Sequence, residues 1–406
     1  MVRKYSNVFQ IGKNFILRLI SAFLSTGVRQ FITLPVLASV FSKEAYGTLL
    51  TIIGIANITE VSLGNTLNNT RMVSNHIYAE NDYQGDFNYL VIIACAIGTV
   101  CAFVLMFLFP AIDFLTGILL WLVIIVSILN GYFIVGFTMN LMFDRVLVQS
   151  IYVAIGTVVG VVLTIITGLW PFSFLIGSIF GLVYLYFKTP LMREPLRWTP
   201  LAKKTASKWG ILSATSVLAN AMVYLDRLLL YPVIGASAVA IYTTASFFGK
   251  CVAALIPTAS NVLLAYCSQK NYIMNRSTFL KVIGSSLAFC GLCFIASLLF
   301  APWITRWLYP SLFDESASIL VLANASAMIS AAGTLSQTIV LRFCKSTKLL
   351  FVQVLYALVY FGGGIVMLKS MGIVGFCWIA IIANFVRLFA LILYGYQGII
   401  VEHLDK

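Results

Sequence analysis

Apolar residues run along this chain in stretches of about 20, the length a helix needs to cross a bilayer core, with short polar connections between them. The pattern predicts twelve spans, at roughly 14–40, 46–67, 88–109, 117–139, 150–168, 171–189, 209–231, 239–263, 279–301, 317–340, 349–368 and 373–396. Strands of a membrane β-barrel are short and alternate apolar with polar, which these stretches do not. The expected fold is therefore an all-α polytopic membrane protein. Polar residues recur on single faces of several spans. Arg18, Ser21, Ser25 and Arg29 lie three, four and four residues apart, one narrow stripe at about 100° per residue. Ser213, Ser216, Asn220 and Arg227 repeat the design in the seventh span, and Thr243, Lys250, Pro257 and Asn261 share a face in the eighth. A polar stripe facing lipid is costly, so these faces are expected to line an enclosed or wet cavity. Ser25, Ser216, Asn220 and Asn261 are the expected polar lining, although such residues also serve as hydrogen-bonding glue between membrane helices.

Ionisable residues sharpen the picture. Arg18, Arg29, Arg227, Lys250 and Arg387 fall inside predicted spans, against only two acids, Glu60 and Asp226. A charge in hydrocarbon costs at least a few kcal/mol, so such residues usually face a pathway. A mostly basic lining implies an anionic substrate. Arg18 is near enough to a surface to snorkel instead. Asp226 adjoins Arg227, but neighbouring helical residues point about 100° apart and are no automatic pair. Glu60 and Asp226 are candidates either for pairing with a base or for binding a coupling proton or sodium ion. Prolines 35, 232 and 257 are placed to kink or end their helices.

Composition agrees with the pattern: 61% of residues are hydrophobic and 10% charged, where soluble domains carry roughly 25% charged residues. The net charge of +13 suggests nucleic acid only until the charges are placed. With the N-terminus inside, eighteen basic residues fall in inside segments and only Lys43, Arg306 and Lys369 on the other side. The positive-inside rule then predicts an even number of spans with both termini cytoplasmic. No nucleic-acid partner is needed. The first apolar run is too long, and too interrupted by arginine, for a cleavable signal peptide, and it reads as the first span.

The longest polar connection, 190–208, lies near the middle of the chain and divides six spans from six. The expected organisation is an N-terminal six-helix bundle over 1–189, a cytoplasmic linker over 190–208 and a C-terminal six-helix bundle over 209–406. Arg29 is followed by TLPVL and Tyr46, and Arg227 by LYPVI and Tyr242, at nearly the same spacing. Repeats of six spans insert in the same orientation, so the halves read as parallel repeats.

Nothing in the sequence forms a catalytic constellation. His76 and His403 stand apart, no G-x-x-x-x-G-K-[ST] loop is present, and Cys290 and Cys293 sit inside a span without partner histidines. An enzyme is not expected, and neither a cofactor nor a metal is called for.

The stretches RQFITLPVLASVFSKEAYGTLLTIIGIANITEVSLGNTLNN (29–69) and YLDRLLLYPVIGASAVAIYTTASFFGKCVAALIPTASNVLLAYCS (224–268) resemble the first two and the seventh and eighth spans of bacterial polysaccharide-export flippases. These belong to the superfamily of multidrug, oligosaccharidyl-lipid and polysaccharide exporters. The resemblance implies two six-helix bundles forming a V around a central cavity. It implies flipping of undecaprenyl-diphosphate-linked oligosaccharide repeat units, as in O-antigen and lipopolysaccharide assembly, from the inner to the outer leaflet of the bacterial inner membrane. It also implies coupling to H+ or Na+ and a place beside polysaccharide assembly proteins. Arg29, Arg227 and Lys250 match the cationic cavity positions by context, joined by Arg18 and Arg387. Three rival readings stand beside it: a multidrug or small-molecule exporter of the same superfamily, the peptidoglycan-precursor flippase, usually of fourteen spans, and a membrane-embedded polymerase or ligase.

Overall fold

In the computed structural model, residues 2–254, 256, 276–343 and 346–404 are described. They are helical almost throughout, and no strand occurs among them. Among the described residues the helices fall along the expected spans in order. Several are continuous rods with local departures: Val2–Val28 runs through a wider π-helical turn, Arg29–Thr33, into Leu34–Val40, and Lys43–Glu60 runs through a second, Val61–Asn65, into Thr66–Glu80. The last two spans, within Ser346–Leu404, are two helices that double back on each other at Gly372, so that Phe351 meets Tyr394 at 6.5 Å and Tyr360 meets Phe376 at 5.6 Å. The Gly372 φ of 62° and ψ of −145° are ones that only glycine adopts at low cost. Seven helices among the described residues are long and apolar enough to cross a membrane unaided. The helix pair joined at Gly372 counts once there, and Phe172–Lys188 and Ala236–Ala245 are short. The chain is an all-α, multi-pass membrane protein.

The first π-helical turn has a cause in the sequence. Pro35 lacks an N–H, and its ring crowds the carbonyl four residues earlier, that of Phe31. An α-helix absorbs such a residue by widening one turn, and the turn that widens contains Phe31.

The helices group into two compact units. Unit 1 holds 1–40 and 49–225, and unit 2 holds 41–48 and 226–406. In unit 1, Phe143–Thr167 packs against Phe172–Lys188 with backbones nearly touching: a Cβ on Gly160 would stand 2.1 Å from the Phe172 carbonyl oxygen. Small residues permit that approach where no hydrophobic effect drives helices together. The polar connection is part of the same unit, and so is Ala202–Val223. The Trp209 indole N–H donates to the Leu63 carbonyl at 3.2 Å, and the Ser213 and Thr66 hydroxyls are 2.9 Å apart.

In unit 2, 41–48 is tied to the later helices. Lys43 pairs with Glu315 at 2.9 Å, and the Ser237 hydroxyl donates to Glu44 at 2.7 Å. Gly47 lies flat against Ala236, where a Cβ would stand 1.8 Å from the carbonyl oxygen. Asn324 bridges helices, its side-chain amide donating to the Ala245 and Leu320 carbonyls while its oxygen accepts the Gly249 N–H.

Candidate functional site

The first predicted stripe turns inward upon its own helix. Ser21 donates to the Leu17 carbonyl at 2.7 Å and Ser25 to the Ser21 carbonyl at 3.0 Å, so both hydroxyls satisfy themselves locally. Arg18 is exposed and Arg29 half-buried. In the seventh span the same self-satisfaction holds, with the Asn220 amide donating to the carbonyl and hydroxyl of Ser216 at 2.8 and 3.0 Å. Asn261 and Pro257 lie outside the described residues.

Arg29 and Glu60 meet at a cavity inside unit 1. Arg29 opens the first π-helical turn and Glu60 immediately precedes the second. Asn57, Ser127, Trp170 and Phe174 line the same space, which measures about 20 Å³. That is room for about one water. Two irregular turns thus converge on the acid and base that the spacing marked, and π-helical turns concentrate where helices carry function.

Unit 2 holds its charges differently. Asp226 and Arg227 are buried near the start of Leu225–Val233, directly after a helical break at Tyr224. The Asp226 carboxylate accepts the Arg227 backbone N–H at 2.9 Å, and Lys250 donates to its second oxygen. The acid next to Arg227 in sequence therefore takes Lys250, on another helix, as its ion pair. The Lys250 ammonium also lies 5.4 Å from the Tyr242 ring centre.

Arg387 has neutral company. Its guanidinium donates to the Gln337 side-chain oxygen, which also accepts from Gln353 at 2.8 Å, and it lies 5.3 Å from the centre of the Tyr356 ring. Its Nε is buried without a hydrogen-bond partner. Nearby along the same helix, Asn384 donates to Ser326 at 3.2 Å while its oxygen stays unpartnered. Gln337 and Tyr356 escaped the sequence reading, since neither is charged. The signal available was a glutamine within an apolar helix, a costly choice unless it hydrogen-bonds.

The structure thus brings Arg29 to Glu60 in unit 1 and Asp226 to Lys250 in unit 2. Among the described residues, Arg18 and Arg387 join neither group through an ion pair. The described residues include no group of three or more His, Cys, Asp or Glu able to hold a metal.

No family model and no curated protein matches the chain. Solved structures do. A MATE transporter in complex with MaD5 is 14% identical, covering 97% of this chain and 96% of its own, with a TM-score of 0.65. A Vibrio cholerae MATE transporter is 15% identical over 98% of each chain, with a TM-score of 0.61. The lipid II flippase MurJ, in an inward closed conformation, is 13% identical over 95% of this chain and 86% of its own, with a TM-score of 0.56. This chain has the fold of the MATE transporters and of MurJ. Its likeness to them is one of architecture.

Proposed function

We propose that this chain is a flippase of the same superfamily, translocating undecaprenyl-diphosphate-linked oligosaccharide repeat units across the bacterial inner membrane by ion-coupled alternating access. The observation that carries this reading is Arg387: a basic group within a span whose partners among the described residues are the neutral Gln337 and Tyr356. Such a charge is expensive in a membrane unless an anion completes it. Arginine suits a diphosphate because its planar fork gives bidentate, charge-assisted hydrogen bonds. In this reading Arg29, Arg227 and Arg387 bind the diphosphate and acidic sugars. Lys250 contributes as a point charge when Asp226 releases it, and Arg18 attracts the headgroup at entry. Ser25, Ser216, Asn220 and Asn261 line the route. Glu60, sharing its cavity with Arg29, and Asp226, paired with Lys250, are the sites where a proton or sodium ion trades with a basic partner.

The proposed arrangement has six spans on each side of the 190–208 linker, both termini in the cytoplasm and assembly proteins at hand. The deciding experiment is complementation of a bacterial strain that lacks its own repeat-unit flippase, scored as surface polysaccharide. Rescue is expected. A well-expressed protein that rescues none of a panel of strains differing in repeat unit overturns the reading.

A second reading, export of drugs or other small molecules, draws on the multidrug resistance MATE family transporters among the structural neighbours. Exporters of organic cations need acidic sites, and the basic excess within these spans weighs against it. Resistance to cationic dyes conferred on a pump-deficient strain would favour it.

A further inference from the structure

Between the sixth and seventh spans the chain forms a strap, 189–201, and the strap with its flanking helix ends carries six exposed basic residues: Lys188 at the end of Phe172–Lys188, Arg193 and Arg197 in the strap, and Lys203, Lys204 and Lys208 in the first turns of Ala202–Val223. Among the described residues none of the six is in an ion pair. The one acid of the strap, Glu194, is already engaged, bonded to Arg71, whose guanidinium also donates to the Tyr132 hydroxyl. The strap's charge is therefore uncompensated.

The strap is also fixed in place. The Asn88 amide donates to the Leu191 and Glu194 carbonyls at 3.2 and 2.9 Å. Asp86 accepts from the backbone N–H and the hydroxyl of Thr199 and from the Tyr78 hydroxyl. Gly85, with φ of 105°, lets Pro195 and Arg197 lie so close that a Cβ would stand 2.2 Å from the Pro195 carbonyl oxygen. A whole set of hydrogen bonds thus holds the strap down.

Apolar groups stand exposed between the charges. Leu196 and Trp198 flank Arg197 at 53% and 55% exposure. The Trp198 ring meets Tyr89 edge-on at 5.9 Å, and the Arg193 guanidinium lies 5.9 Å from the Tyr186 ring centre. Tryptophan and tyrosine beside exposed arginine and lysine, at the ends of spanning helices, are the side chains that settle at the headgroup level of a bilayer.

We propose that this strap is a docking surface for anionic phospholipid headgroups, with Arg193, Arg197, Lys203 and Lys204 meeting the phosphates and Leu196 and Trp198 reaching the acyl boundary. The clamp on Asp86, Asn88 and Arg71 holds the basic groups in position, so that little ordering is needed when lipid arrives. Clusters of four or more basic residues beside a span attract anionic lipid in this way. The proposed cytoplasmic placement enters only in saying which leaflet supplies the lipid.

The test is native mass spectrometry of the purified full chain, titrated with phosphatidylglycerol or phosphatidylcholine of matched acyl chains. The wild type is expected to retain phosphatidylglycerol preferentially. The R193Q/R197Q/K203Q/K204Q variant is expected to lose that preference by at least tenfold, and R193K/R197K to keep it. Equal preference in the wild type and the glutamine variant, with both eluting as monodisperse protein, overturns the proposal. So does a wild type that retains both lipids equally, which would leave an acidic protein segment as the occupant. The readout needs no transport, so a failed complementation leaves it unaffected.

Discussion

Arg29 and Arg227 open the same short motif, an arginine followed five or six residues on by Pro-Val, and the helix departs from regular geometry beside each of them. What surrounds them differs. Arg29 shares a small cavity with an acid contributed by another helix, Glu60. Arg227 has an acid beside it in sequence, yet that acid turns to Lys250. One region leaves room for about one water in a cavity that acid and base both line, and the other closes the pair by direct contact. Motif spacing sets where a helix is interrupted. Which charge answers which is decided by the neighbouring helix.

Four sets of substitutions would break or sharpen this contrast, taken from the largest expected effect. Arg29→Ala and Arg227→Ala should each cut export at least about 100-fold, the loss of one or two hydrogen bonds to a charged group, with normal insertion. Surface polysaccharide in the complemented strain measures it, and full activity in both removes the diphosphate site. Asp226→Ala should strand Lys250 and cost about 3–5 kcal/mol, read as a lower unfolding temperature. The D226A/K250L double variant should recover most of it. No loss on Asp226→Ala would mean that the contact contributes little.

Gln337→Leu removes the acceptor of Arg387 and should cost about 1–3 kcal/mol, read as a lower unfolding temperature. The smallest effect belongs to a helix end far from either site. Asp113 accepts the Thr116 N–H at the start of Phe114–Phe133, and a hydrogen bond from the Thr116 side chain, helped by backbone N–H groups, holds its carboxyl below the usual carboxylate value of 3.8. Its capping contribution is present above that value and is lost as pH falls through the lowered one. Asp113→Ala should cost about 1 kcal/mol at neutral pH and nothing in strong acid. A pH series of unfolding temperatures checks the sign.

Much of the fold was legible beforehand. The spans show as apolar length, and the kink near Arg29 shows as Pro35, because both depend on local properties of the chain. The basic excess was legible as well, since a charge in hydrocarbon is conspicuous wherever the helices pack. Gln337 and Tyr356 were not, because a neutral polar residue gives no sign of its partner until the partner is in place. The two contact units were hidden for a similar reason. Trp209 and Ser213 follow the long polar connection in sequence, yet they bond to Leu63 and Thr66, and Gly47 precedes Leu49–Leu225 yet rests on Ala236.

The sequence by itself determined that this chain crosses a membrane many times as helices and carries more positive than negative charge within them. Hydropathy is a sum over neighbours in the chain, and charge does not depend on folding. Only the tertiary structure decided that Glu60 meets Arg29, that Asp226 takes Lys250, that Arg387 rests on uncharged groups and that the central strap is fastened to unit 1. Each of those depends on the approach of residues tens or hundreds of positions apart. Such approaches are set by helix packing, where a glycine or a π-helical turn moves a side chain by ångströms and changes its partner.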